Sequence, residues 1–264
     1  MKTLVLLVAP ALLFGCQKQA DKGGADMTPE PVAKQPSPDP SPAARAKADG
    51  EGGSGSAAAM PAPAMPAPES AETQVRPPVA ADLAGYVKNV PGTGSKLLAQ
   101  VDTSMGAIHC ELFGDKAPIA VANFVGLATG QKPWLNPSSG GVEQKKPYFD
   151  GLTFHRVIAG FMIQGGDPLG AGTGGPGYNF DNEIDRSLKM DPGALAMANT
   201  GHPNSNGSQF FIMEGSKPGL LGGYTIFGQC SDPDVVKKIT SVKTDGNDKP
   251  DQPVTITKVT ITKG

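Results

Sequence analysis

The chain has 264 residues, among them 35 Gly and 26 Pro, and a formal net charge of −2. That length admits one or two domains. The near-neutral balance removes any electrostatic case for nucleic acid or an acidic membrane surface as partner.

The N-terminus reads MKTLVLLVAPALLFGC, with Lys2 ahead of an apolar run from Leu4 to Phe14. About 20 apolar residues are needed to cross a bilayer as a helix, so this shorter run predicts an export signal over residues 1–15 rather than a transmembrane anchor. A buried strand or helix is the alternative, and the polar, Pro-rich tract that follows argues against it. Leu13-Phe14-Gly15-Cys16 resembles a bacterial lipobox, in which the Cys becomes the acylated first residue; Phe14 departs from the small residue usual there. Acyl chains bring about 0.8 kcal/mol per buried methylene, so several of them anchor firmly. Cys16 is therefore the expected lipidation site. Gln17, where an inner-membrane lipoprotein carries Asp, favours the outer membrane, facing the periplasm.

Residues 16–80 are Ala, Pro, Gly, Ser and mixed charges, with almost no large apolar side chain. No core can form there to offset chain entropy, which predicts a disordered tether spanning roughly 45 Å as a coil. Its MPAPAMPAP repeat is read as a spacer, with a ligand for a proline-binding partner as the other possibility.

Patterning changes at residue 81, where a folded domain through residue 264 is expected. Leu97 to Thr103 and Ile108 to Phe113 read as strands of a hairpin turning at Met105-Gly106. Pro118 then opens a helix with Val121, Phe124, Val125 and Ala128 on its apolar positions and Gly130 at its stop. Short strands follow in TFHRVI, FMIQG, ALAMA, SQFFIM and YTIFGQC, and Asp232-Pro233 starts a second helix through Ile239. In the last strand, VTITKVTI, the apolar parity flips after Ile256, which predicts a bulge or burial on both faces. Many short strands with two helices indicate a mainly β barrel or sandwich.

Neither a GxSxG elbow nor a phosphate loop is present, and His109, His155 and His202 lack zinc-ligand spacing. Ser208, His155 and Asp167 could be assembled into a hydrolytic trio, as could residues of many chains this long. Strand parity is more informative. If Val157, Ile163 and Phe210 face inward, then Arg156, Met162, Gln164, Gln209 and Phe211 face outward, an apolar patch with a few long donors. Such a patch marks a binding site, or else a second small core under a loop.

The motifs FHRVIAGFMIQGGD, ALAMANTGHPNSNGSQFFI and GLLGGYTIFG resemble the cyclophilin family of peptidyl-prolyl cis-trans isomerases, in order and spacing, from about Leu97 to the C-terminus. The resemblance implies an eight-stranded antiparallel barrel capped by two helices, with the site on its outer face. It places the family's catalytic Arg on Arg156, with Gln164 holding that Arg or the substrate. The apolar proline pocket falls on Phe161, Met162, Phe211 and Leu220. Polar contacts fall on Asn199 and Gln209, and a backbone contact on Ala198. Tyr224 stands where the family often has a pocket His, and Gly219 where it often has Trp. His202 is one extra residue in the loop before PNSNGSQFF. The resemblance also makes Cys110 and Cys230 neighbours, so a disulfide and a pair of buried thiols are both open.

The function expected is isomerisation of X-Pro bonds in exported proteins at the cell envelope, by a monomer that needs no metal or other cofactor. A cyclophilin-like peptide-binding or chaperone module with little turnover is the alternative. The partners expected are proline-containing polypeptides and, through the lipid anchor, the membrane.

Overall fold

The computed structural model describes residues 74–264. The expected signal, Cys16 and the tether up to residue 73 lie outside the described residues. Strands β1 (Leu97–Thr103) and β2 (Gly106–Leu112) form the expected hairpin, closing at the Thr103–Gly106 pair. Gly106 sits there at φ 137°, a conformation that disfavours a side chain. The chain continues through α2 (Pro118–Ala128), which a short α1 (Asp82–Val87) precedes. A two-stranded ribbon, β3 (Trp134–Leu135) and β4 (Val142–Glu143), stands apart from the main sheet. Then come β5 (Arg156–Ile158), β6 (Met162–Gly165), β7 (Ala194–Met197), β8 (Phe210–Met213), a 3₁₀ turn at Pro218–Leu220, β9 (Ile226–Cys230), α3 (Pro233–Thr240) and β10 (Ile256–Lys263).

Eight strands make one antiparallel sheet in the order β10-β1-β2-β9-β7-β8-β6-β5. Its outer members meet through residues beside them: Phe154 N–H donates to Val254 (2.9 Å) and Ile256 N–H to Leu152 (2.7 Å). The sheet therefore curls on itself, as the expected barrel does. The parity flip in the last strand is a bulge. Asp102 pairs with Lys258 but Thr103 with Ile256, so Thr257 is the extra residue. Val254, Ile256, Val259 and Ile261 are all buried as a result.

The main core holds the inward row of the site strands, Val157, Ile163, Phe210, Ile212 and Leu195, as parity predicted for the first three. Phe124 of α2 enters it, with its ring centroid 4.9 Å from Phe149, 5.4 Å from Phe227 and 5.6 Å from Phe210. Every α2 residue from Ala120 to Ala128 is buried, with α1 packed on one side and Tyr178 and the Gly207 carbonyl bonded to Asn123 on another. Asp82 at the head of α1 accepts two bonds from the Arg76 guanidinium, at 2.7 and 2.9 Å. The first turn of α2 is capped from a distance. The Glu183 carboxylate accepts from Ile119 N–H (3.0 Å) and Ala120 N–H (2.8 Å), donors that a helix start leaves without internal partners. A disulfide joins Cys110 of β2 to Cys230 of β9, which face each other in register. Of the two states left open for these thiols, the bonded one is present.

Candidate active site

Cross-strand register builds the site. Arg156 on β5 pairs with Gln164 on β6, Gln164 with Phe211 on β8, Phe211 with Ala196 on β7, and Ala196 with Ile226 on β9. Because side chains alternate along each strand, these residues line one face in a single row. The next row on that face is Ile158, Met162 and Met213. Between Ile158 and Met162 the chain turns through Gly160 at φ 70°, and this turn puts Phe161 beside the same rows.

The apolar members of both rows form a cluster separate from the main core. Met162, Met190, Ala194, Ala196, Phe211, Met213 and Ile226 are buried in it, and Ile158, Phe161, Leu188, Ala198, Leu220 and Tyr224 pack against it half-buried. Both readings of the outward patch are thus present at once. Met162 and Phe211, 2% and 5% exposed, are floor rather than surface. What meets solvent is a rim of Arg156, Phe161, Leu220 and Tyr224. The Tyr224 ring stands edge-on to Phe211, centroids 5.4 Å apart, so an aromatic wall occupies that position. At Gly219, an added Cβ would meet no atom within 4 Å.

Polar groups are fixed around this floor. Gln164 donates through Nε2 to Gln209 Oε1 (2.9 Å), and Gln209 Nε2 donates to the carbonyls of Gly172 (2.9 Å) and Gly174 (3.0 Å). That loop is held by Asp167, whose buried carboxylate accepts from the N–H groups of Leu169, Ala171, Gly172 and Thr173. Asn199 Nδ2 donates to Gly223 O at 2.8 Å, beside Tyr224, and Ala198 N–H donates to Gln209 O at 2.9 Å. The side chain of Arg156 is 42% exposed, and its Nε faces Asp248 at 3.3 Å. Asp248 lies 92 residues further along the chain, and no sequence signal linked the two. Strand parity could have found Met213, which shares a face with Phe211. Nothing in the sequence pointed to Met190 or Leu188.

The hydrolytic trio is not assembled. Ser208 Oγ donates to Gly166 O and lies 2.7 Å from Tyr148 Oη. Asp167 serves its loop, and neither ring nitrogen of the buried His155 has a hydrogen-bond partner. Burial lowers the His155 pKa below its ordinary value, with Asp167 pulling the other way and Arg156 and Lys249 adding to the fall. Cavities of about 400 and 220 Å³ lie elsewhere, one between α1 and the β1–β2 hairpin, the other beside His155 and Lys249. Among the described residues no group of three or more His, Cys, Asp or Glu side chains is placed to hold a metal ion.

Comparison with known proteins agrees with this geometry. Residues 98–261 match the family model described as cyclophilin type peptidyl-prolyl cis-trans isomerase/CLD. A probable peptidyl-prolyl cis-trans isomerase A of Mycobacterium leprae is 52% identical over 167 residues, 62% of this chain and 91% of that protein. Peptidyl-prolyl cis-trans isomerase B of Streptomyces anulatus is 52% identical over 137 residues, 52% of this chain and 77% of that one. Among solved structures, a Cryptosporidium parvum cyclophilin type isomerase crystallised in the presence of the dipeptide Ala-Pro superposes with a TM-score of 0.54 at 36% identity. It covers 63% of this chain and 99% of its own.

Proposed function

The chain belongs to the cyclophilin-type peptidyl-prolyl cis-trans isomerase family, and on that premise we propose how its site performs the isomerisation and where in the cell it acts. The activity is cis-trans isomerisation of peptidyl-prolyl bonds. Unaided, such a bond takes tens to hundreds of seconds to isomerise, because amide resonance resists the twist. Twisting localises a lone pair on the prolyl nitrogen, so a donor aimed there favours the twisted state over both planar ones. Arg156 is that donor. Its guanidinium stays protonated at any relevant pH. With Nε turned to Asp248, the two Nη groups are the ones we assign to the substrate. The prolyl ring rests on the Met162–Phe211 floor between Phe161, Leu220 and Tyr224. Gln164, held by Gln209, positions the substrate carbonyl, and Asn199 and Ala198 hold its backbone. Excluding water from the apolar floor strengthens the Arg156 interaction.

The observation that carries this reading is the row Arg156–Gln164–Phe211, which sets a permanent cation at the edge of an apolar floor with a fixed amide between them. Arg156→Ala tests it. Losing one transition-state donor costs about 2.7–4 kcal/mol, a fall in kcat/KM of about 10²–10³-fold on an Ala-Pro test peptide. Near-wild-type turnover by a folded variant removes Arg156 from this role.

The chain acts on exported proteins at the cell envelope, as a monomer held by lipid on Cys16 in the outer membrane and facing the periplasm. The short apolar leader ending in LFGC supports this, as does the Cys110–Cys230 disulfide, since such bonds persist in oxidising compartments. Palmitate labelling of wild type and Cys16→Ser in cells, followed by membrane fractionation, tests it. Equal labelling of both, or recovery of the wild type in the soluble fraction, rejects the anchor.

A further inference from the structure

We propose that the Met-Pro and Ala-Pro pairs at positions 60–68 of this same chain occupy the site in cis and compete with client chains. The inference rests on the isomerase reading of the Arg156 face. It starts from where the chain enters the domain. Arg76 is clamped: its guanidinium chelates Asp82, and its carbonyl accepts from the buried Lys132 Nζ at 2.7 Å. One residue earlier, the Val75 side chain comes within 3.5 Å of where a Cβ on Gly177 would stand. Three residues before Gly177 is Gly174, whose carbonyl accepts from Gln209 at 3.0 Å. Three residues extend roughly 10 Å, so the entry point lies within roughly 20 Å of the Gln209 amide, and Arg156 is two strand spacings of about 4.8 Å and two strand residues from it.

Upstream of that point, Ala67-Pro68 ends 7 residues and Ala62-Pro63 ends 12 residues before Val75. Extended chain covers roughly 25 and 40 Å over those lengths, enough for the first pair to reach Gln209 and the second to reach Arg156. The composition suits the floor. Residues 52–68 carry no charge, and the four prolines at 61, 63, 66 and 68 each follow Ala or Met. Seating them costs no charge desolvation, whereas Asp39-Pro40 and Glu30-Pro31 would bring an acid. A connection this short gives an effective concentration on the order of millimolar, which a client must outcompete.

The test uses the full-length chain in detergent micelles with labelled proline, and exchange spectroscopy on the Ala62-Pro63 and Ala67-Pro68 bonds. The expected result is exchange far faster than the unaided rate, unchanged on dilution and abolished by Arg156→Ala. Replacing Pro61, Pro63, Pro66 and Pro68 together by Ala should lower the KM for a free Ala-Pro peptide at least twofold with no matching rise in kcat. Exchange that scales with protein concentration means that one chain serves another's tether, and overturns the cis reading. Slow exchange in a protein that turns over the free peptide overturns it too and leaves the isomerase intact. Failure on the free peptide takes both down.

Discussion

The Cys110–Cys230 bond staples the β2–β9 seam, where two parts of the sheet meet by strand pairing. On one side lie β10, β1 and β2, and on the other β9, β7, β8, β6 and β5, which carry the site. The seam itself is short, with three paired positions, flanked by Ser231 N–H to His109 O and Phe113 N–H to Phe227 O. The bridged cysteines are 120 residues apart. A loop of that length removes about 5 kcal/mol of unfolded-chain entropy in the simple cross-link model, and native disulfides deliver about 2–5 kcal/mol in practice. We therefore expect the Cys110→Ala/Cys230→Ala double variant to lose about 3–5 kcal/mol. At about 2–4 °C per kcal/mol for a domain this size, Tm falls by about 6–20 °C. Scanning calorimetry of wild type with and without dithiothreitol, with thiols counted in each sample, gives the same comparison without mutation. Turnover measured well below either Tm should be retained, because Cys230 ends β9 away from Ile226, its contribution to the site cluster. A Tm shift under 2 °C between samples shown to be bonded and reduced would refute the argument that this seam needs its staple.

Two further outcomes follow from buried and open positions. His155 is buried with its pKa depressed below 6.5, so the unfolded chain binds more protons in the window between the depressed value and 6.5. Its contribution to stability is complete above pH 6.5 and is lost on acidification through that window, with a slope of at most about 1.36 kcal/mol per pH unit. Denaturant unfolding from pH 7.5 down to 5 should show this slope in wild type and not in His155→Phe. A variant as acid-sensitive as wild type places the proton elsewhere. Gly219→Trp has open space at its new Cβ and restores the ring that resemblance to the family leads one to expect there. The resemblance implies that loss of this Trp weakens binding of cyclosporin-like ligands, so the variant's affinity for one should rise at least tenfold, about 1.4 kcal/mol, by titration calorimetry. Unchanged affinity would show that Gly219 does not border the ligand.

Much of the site could be read from short-range pattern. Alternation in FHRVI, FMIQ and SQFFIM put Arg156, Gln164 and Phe211 on one face, because β side chains repeat every second residue wherever the strand lies. A break in the same alternation left a bulge or burial on both faces open, and the structure has the bulge, at Thr257. Local sequence also marked α2 through Pro118 and Gly130, though not that it is buried all round. That depends in part on α1, a six-residue helix with no side-chain cap of its own, held by an ion pair to Arg76.

What the sequence determined by itself was periodicity, and with it the place of the main-sheet strands and the facing of those at the site. Tertiary structure decided which strands stand side by side, and so which distant residues complete the site. Asp248 meets Arg156 across 92 residues, and Glu183 reaches the head of α2 across 64. It also decided that Met162 and Phe211 are floor rather than surface, since Met190, Leu188 and Leu220 join them in one packed cluster. The physical reason is that alternation is a property of one strand, whereas burial and ion pairing belong to groups that only the closed sheet brings together.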